Sequence, residues 1–208
     1  MIFLKTYKRI LVIIFAFTLV ISSVYSGDAQ SEMSAMQSGS GEVTITFDYQ
    51  RQSGSASNQF AVWIEDMEGN HIKTLYATRY TANGGYKNRP DSIALWVEKS
   101  GLASMTKSEV DAITGATPRA GTCSYKWDLT GKNGGVVMSG KYKFFVEGTL
   151  RWRNRVIYSG VIEVGDTPVE IIADAEFTYE GAGRQAALTD NSPENSMIQA
   201  VKARFAPD

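Results

Sequence analysis

The sequence predicts a mainly β fold, a sandwich or a barrel, interrupted by one short helical insert. Three observations carry that expectation. First, apolar and polar residues alternate with a period of two in several short runs, as in Val43, Ile45, Phe47 and Tyr49 against Glu42, Thr44, Thr46 and Asp48. A strand points successive side chains to opposite faces, so this pattern buries one face. Second, turn chemistry separates the runs, most clearly at Glu68-Gly69-Asn70 and Lys132-Asn133-Gly134-Gly135. Third, between Tyr80 and Gly121 the alternation fails and helix signals replace it. About eight short strands with turns between them argue against a βαβ arrangement.

Composition narrows the function classes. The chain has 208 residues, enough for one ordinary domain or two small ones. At 43% hydrophobic and 21% charged residues it belongs with globular rather than disordered chains. Lys plus Arg is 21 against 22 Asp plus Glu, so nucleic acid has no strong electrostatic reason to bind. The single Cys excludes an internal disulfide framework or a multi-Cys metal site, and the single His excludes a His-rich metal centre. No metal is expected.

Residues 1–26 read as a signal peptide. Lys5, Lys8 and Arg9 form a basic start, Ile10 to Ile21 an apolar stretch, and Val24-Tyr25-Ser26 supplies small residues for cleavage after Ser26. The apolar run is about a dozen residues, short of the ~20 a membrane-spanning helix needs. A periplasmic or secreted protein follows. Residues 27–40, rich in Ser, Gly, Gln and Met, read as a flexible leader. Residues 41–206 then form the sandwich, with the helical insert at about 81–120. Within it, Phe60, Val62 and Ile64 repeat the strand pattern and Ile72 to Tyr76 runs back. Thr122 to Leu129, Tyr142 to Glu147, Val156 to Val164 and Val169 to Tyr179 are further strands. Near the end, Ile198, Val201 and Phe205 could share a helix face, whereas Val201, Ala203 and Phe205 alternate. A strand is expected, because every other segment of the main domain is one. Cys123 falls on a strand and is expected to be buried and inert.

In the insert, Asp91 or Ser92 is placed to cap a helix carrying Ile93, Leu95, Trp96 and Val97 and stopped by Gly101. Thr106 and Glu109 fit a capping box, starting a second helix through Val110 and Ile113 that ends at Gly115. A sandwich has no intrinsic need for such an insert, and long ordered insertions are disproportionately functional.

The stretch Tyr125-Lys126-Trp127-Asp128-Leu129-Thr130-Gly131, continuing through Gly134 to Gly140-Lys141-Tyr142, resembles the hallmark of the flagellar hook-cap Ig-like domains. Val62 to Asn70 is similar to their first hairpin. The resemblance implies an Ig-like β-sandwich, with Trp127 as a core anchor and Asp128 bonding turn amides. Gly131 and Gly134 would take positive φ, and Gly140 would let the chain re-enter a strand. The order of hairpin, helical insert, Thr-Gly-Ala-Thr-Pro segment, Trp-Asp turn and Arg-rich stretch also resembles a family of predicted periplasmic proteins. Its genes are often found near PepSY-type membrane proteins and a periplasmic flavin transferase. That resemblance implies an accessory of a periplasmic redox or membrane system.

Asp111-Ala112-Ile113-Thr114-Gly115-Ala116-Thr117 resembles the acceptor motif of exported FMN-binding domains, in which the last Ser or Thr is joined to FMN by a transferase through a phosphoester. The resemblance implies that Thr117 carries covalent FMN, that the small pair Gly115-Ala116 admits a transferase, and that Asp111 and Thr114 belong to the same site. A flavin transferase and a membrane redox protein are the implied partners. The residues alone also fit a plainer reading, with Gly115 as a helix C′ residue and Thr117-Pro118 as an extended exit. After Thr117 the sequence departs from the acceptor pattern, with Pro118-Arg119-Ala120-Gly121 replacing a small, hydroxyl-bearing continuation.

Other chemistry is sparse. Asp66 with Glu68 and Glu109 with Asp111 read as surface charge, and His71 stands alone after a turn. No Gly-x-Ser-x-Gly elbow and no Gly-rich phosphate loop occurs. Arg151, Trp152, Arg153 and Arg155 form a basic hairpin tip, either solvated or a partner contact. The expectation is therefore an accessory protein that is not itself a turnover enzyme, with a non-catalytic Ig-like binding or structural module as the alternative.

Overall fold

A computed structural model describes residues 38–51, 58–151, 154–178 and 197–208. The chain divides into two compact units, Met1–Ser38 and Gly39–Asp208. All the described residues but Ser38 belong to the second, so the expected signal peptide and most of the leader lie outside them. Among these residues no helix is long and apolar enough to cross a membrane.

The strands are β1 (Glu42–Tyr49), β2 (Gln59–Glu65), β3 (His71–Thr78), β4 (Thr114–Gly115), β5 (Gly121–Trp127), β6 (Gly140–Arg151), β7 (Asn154–Val164), β8 (Val169–Ile172), β9 (Asp174–Thr178) and β10 (Ile198–Ala206). They form two sheets, of order β5-β1-β10-β8 and β4-β3-β2-β6-β7-β9. All pairings are antiparallel except the short β3–β4 ladder. The molecule is a β-sandwich with a helical insert, as the sequence predicts. The insert holds α1 (Arg79–Ala82), α2 (Ala94–Ser100) and α3 (Lys107–Ile113), with 3-10 turns at Gly85–Lys87 and Leu102–Ser104.

The main core lies between the sheets. Val43, Ile45 and Phe47 from β1 and Val201, Ala203 and Phe205 from β10 meet Val62, Ile64, Phe144 and Val146 from the other sheet. The alternation of β1 and β10 is thus the signature of a sheet with one buried face. β2 differs, because all seven of its residues are buried. Its second face, with Ala61 and Trp63, packs under Ile93, Trp96, Leu102 and Val110 of the insert. The insert is therefore a third layer, covering the outer face of the six-stranded sheet.

Two expectations are corrected. Val169 to Tyr179 is not one strand. The chain breaks at Ala173, whose N–H donates to Val201 O at 3.0 Å, and β8 and β9 join different sheets. Nor is α2 capped by Asp91 or Ser92. Its N-cap is Ile93, held at φ 44° with no side-chain cap bond. Instead the carboxylate of Glu147 on β6 reaches across to accept the N–H groups of Leu95 at 3.2 Å and Trp96 at 2.8 Å. The cap comes from the tertiary structure, so no local signal announces it. The capping box of Thr106 and Glu109 at α3 is present as expected.

At the Trp127 turn, the indole is fully buried and donates to Thr130 O at 2.9 Å, and Asp128 accepts the Thr130 N–H at 3.2 Å. Gly134 and Gly140 take positive φ, whereas Gly131 does not and Leu129 does instead, at 58°. Leu129 accepts that conformation with its side chain buried in the main core.

Candidate functional site

The candidate segment begins in α3. Val110 is buried against the second core and fixes the helix on the sheet, which leaves Asp111 and Ala112 exposed. The helix ends at Ile113 rather than Gly115. Thr114 is extended, at φ −114° and ψ 147°, and Thr114 and Gly115 pair in parallel with Ala77 and Thr78. Gly115 is thus not a left-handed C′ residue. It is required for a different reason: a Cβ there would stand 2.6 Å from Tyr76 Cε2. The Tyr76 hydroxyl then donates to Ala116 O at 2.8 Å. Backbone pairing, close packing and this hydrogen bond hold the three residues before Thr117.

The two threonines of the segment differ. Thr114 Oγ1 is buried without a hydrogen-bond partner. Thr117 is half-buried, and its hydroxyl has no partner among the described residues. Gly115 and Ala116 lie against Tyr76, with Thr114 and Thr117 on either side of them in the chain, whereas Asp111 is exposed on α3 and bonds none of the described residues. Behind Tyr76 an aromatic group fills the sandwich edge, with ring centroids 4.8 Å from Tyr76 to Tyr125 and 5.0 Å to Phe60. Burial pushes the Tyr76 phenol up to about 12. Cys123, 7% exposed, has its thiol pushed up by burial as well, which keeps it protonated and unreactive.

At the other end of β3 lies a cleft of about 330 Å³ between α3 and the turn after Asp128. On its floor, His71 Nε2 is 2.8 Å from Thr74 Oγ1, which also accepts the Trp96 indole N–H at 3.0 Å. Burial, then the Lys132 charge, lowers the imidazole to about 4, and its Nδ1 is buried without a partner. Lys73 donates to Asp128 at 2.8 Å and to Thr130. The hydrogen bonds from Lys73 and Thr130 hold the Asp128 carboxyl down at about 2. Glu109 turns its carboxylate back onto Thr106. Among the described residues no cluster of His, Cys, Asp or Glu could hold a metal ion.

Sequence reasoning missed two buried carboxylates. Glu147 is fully buried, and burial raises it to about 7 despite the two helix N–H donors. Glu65, 3% exposed, accepts the Trp63 indole N–H at 2.8 Å and lies 3.6 Å from Lys99 Nζ. Each interrupts an apolar run, Phe144-Phe145-Val146-Glu147 and Val62-Trp63-Ile64-Glu65, at the position facing the insert. A charge inside such a run is the available signal. Asp66 is no acid of a catalytic pair: its two oxygens accept Asn70 N and Asn70 Nδ2 at 2.8 and 2.7 Å. Of the basic tip, Trp152, Arg153 and the Arg151 side chain lie outside the described residues. Arg155 is half-buried, with Nε buried and unpartnered, so it is not a freely solvated tip residue.

A family model described as "Predicted periplasmic protein (DUF2271)" matches residues 40–179. No curated protein and no solved structure matches the chain.

Proposed function

Since the chain belongs to the DUF2271 family of predicted periplasmic proteins, we propose that it is a periplasmic accessory of a membrane redox system and carries FMN in phosphoester linkage on Thr117. One observation carries this reading. Of the two threonines in the acceptor-like segment, the motif's last, Thr117, is half-buried with an unpartnered hydroxyl that is not itself buried, while the hydroxyl of Thr114 is buried. A transferase could reach the first and not the second. Tyr76 anchors the carbonyl just before Thr117. The transferase would join Thr117 Oγ1 to the flavin phosphate, while the pyrophosphate bond of an activated flavin nucleotide breaks and the hydroxyl proton leaves. The bound flavin would supply the electron-transfer chemistry, the protein its position and surroundings.

Intact-mass measurement after co-expression with a periplasmic flavin transferase tests this. The exported chain should gain the mass of FMN less one water and turn yellow. Thr117→Ala should abolish the gain and Thr114→Ala should keep it. An unmodified chain, or modification that survives Thr117→Ala, overturns the reading.

A further inference from the structure

We propose that the open edge of β3 is a docking site for an extended peptide of another protein, one in which apolar and acidic residues alternate. β4 pairs only with Ala77 and Thr78, so among the described residues His71 to Tyr76 have a partner strand on the β2 side alone. The cleft opens on this stretch, with His71, Lys73 and Thr74 along its floor. An unpaired strand edge presents a row of backbone donors and acceptors, and an added strand satisfies them. A peptide seated there would continue the line that β4 begins.

The walls select the side chains. Along an added strand, successive residues point to opposite sides. One side is α3 with the residue before its cap, which offers Met105, Ala112 and Ile113 to apolar residues. The other is the turn after Asp128, which offers Thr130 and the amine of Lys132, while the Lys73 amine is already held by Asp128 and Thr130. Lys132 is exposed and bonds none of the described residues. The one acidic side chain of the lining, Glu109, is committed to Thr106. An acidic residue on that side therefore meets the charge of Lys132, on the wall opposite Glu109. The floor from His71 to Thr74 is about 13 Å long at ~3.3 Å per residue, enough for the middle of a six-residue peptide. This site is separate from Thr117, which follows the opposite end of β3, so either inference can fail alone.

The probe is acetyl-Glu-Val-Glu-Val-Glu-Val-amide, titrated into the isotopically labelled exported chain. Saturable amide shifts should concentrate at His71–Tyr76, at Ala112 and Ile113, and at Thr130–Lys132. Ala112→Glu and Lys132→Glu, both at exposed positions, should keep the wild-type melting transition and weaken binding about tenfold or more. The same peptide with alternate amides N-methylated, and one with Lys in place of Glu, should not bind. Absence of a saturable shift overturns the proposal. So does equal binding of the N-methylated peptide, which would mean side-chain capture without strand addition. If instead the chain sediments as a dimer that Ala112→Glu separates, the edge pairs with a second copy and the proposal falls.

Discussion

Glu147 shows how much one side chain can join. It stands on a central strand, is fully buried, and holds the first turn of α2 through two N–H groups. Burial raises its carboxyl from the ordinary 4.5 to about 7, with the Arg155 charge opposing. A carboxyl raised in the folded state contributes stability that is complete below its unfolded value and lost as pH rises through about 7. His71 runs the other way. Its imidazole is lowered from the ordinary 6.5 to about 4, so its contribution is complete above 6.5 and lost as pH falls through about 4. Between about pH 5 and 6.5 the two slopes oppose. Glu147→Gln removes the charge and keeps one of the two acceptors for the helix. Its stability relative to wild type should rise between pH 5 and pH 8 by up to about 3 kcal/mol. Urea denaturation at both values checks this, and an equal difference at both would show that ionisation of Glu147 plays no part.

At the scale of elements, β4 is two residues long and depends on packing. Gly115 lies where a Cβ would strike the Tyr76 ring, and that ring is itself confined by Phe60 and Tyr125. Gly115→Ala should cost about 1–3 kcal/mol by overpacking. In a Tyr76→Ser background most of that added cost should vanish, and a double-mutant cycle in urea measures the coupling. Undiminished cost in that background would place the strain elsewhere. The limit of what was legible in the sequence falls at the same scale. The capping box of α3, the alternation of β1 and β10 and the Trp127 turn are local patterns, and each appears where expected, the turn with Leu129 rather than Gly131 at positive φ. The end of α3, the cap of α2 and the break at Ala173 are decided by partners distant in sequence: Ala77, Glu147 and Val201 respectively. The acceptor-like segment could be read from its residues, but the cleft could not, since α3, β3 and the Lys132 turn meet only in the fold.

For the whole molecule, the insert is a structural layer as well as the bearer of the candidate segment. It covers Ala61 and Trp63, and Trp63 in turn stacks on Phe145 with centroids 4.9 Å apart. Replacing residues 79–113 by a short Gly-Ser linker should leave that apolar face in water. The remaining sandwich should then bind a hydrophobic dye and self-associate, because large exposed apolar patches drive association. Gel filtration and dye fluorescence check this; a monomeric, dye-silent product would mean the outer face needs no cover. The fully buried Trp127, by contrast, belongs to the main core. Trp127→Ala should cost about 3–5 kcal/mol in urea denaturation.

The strand order has a mechanical corollary. On one flank the chain passes from β4 in one sheet to β5 in the other, and on the opposite flank it passes from β8 to β9 within a single residue. The two sheets are thus laced together by covalent backbone along both long sides. Neither can peel away intact when the other frays. In a chain with one thiol and hence no internal crosslink, that lacing limits how far the layers can part. It so favours a slow escape from the folded state in a compartment where unfolded chains meet proteases.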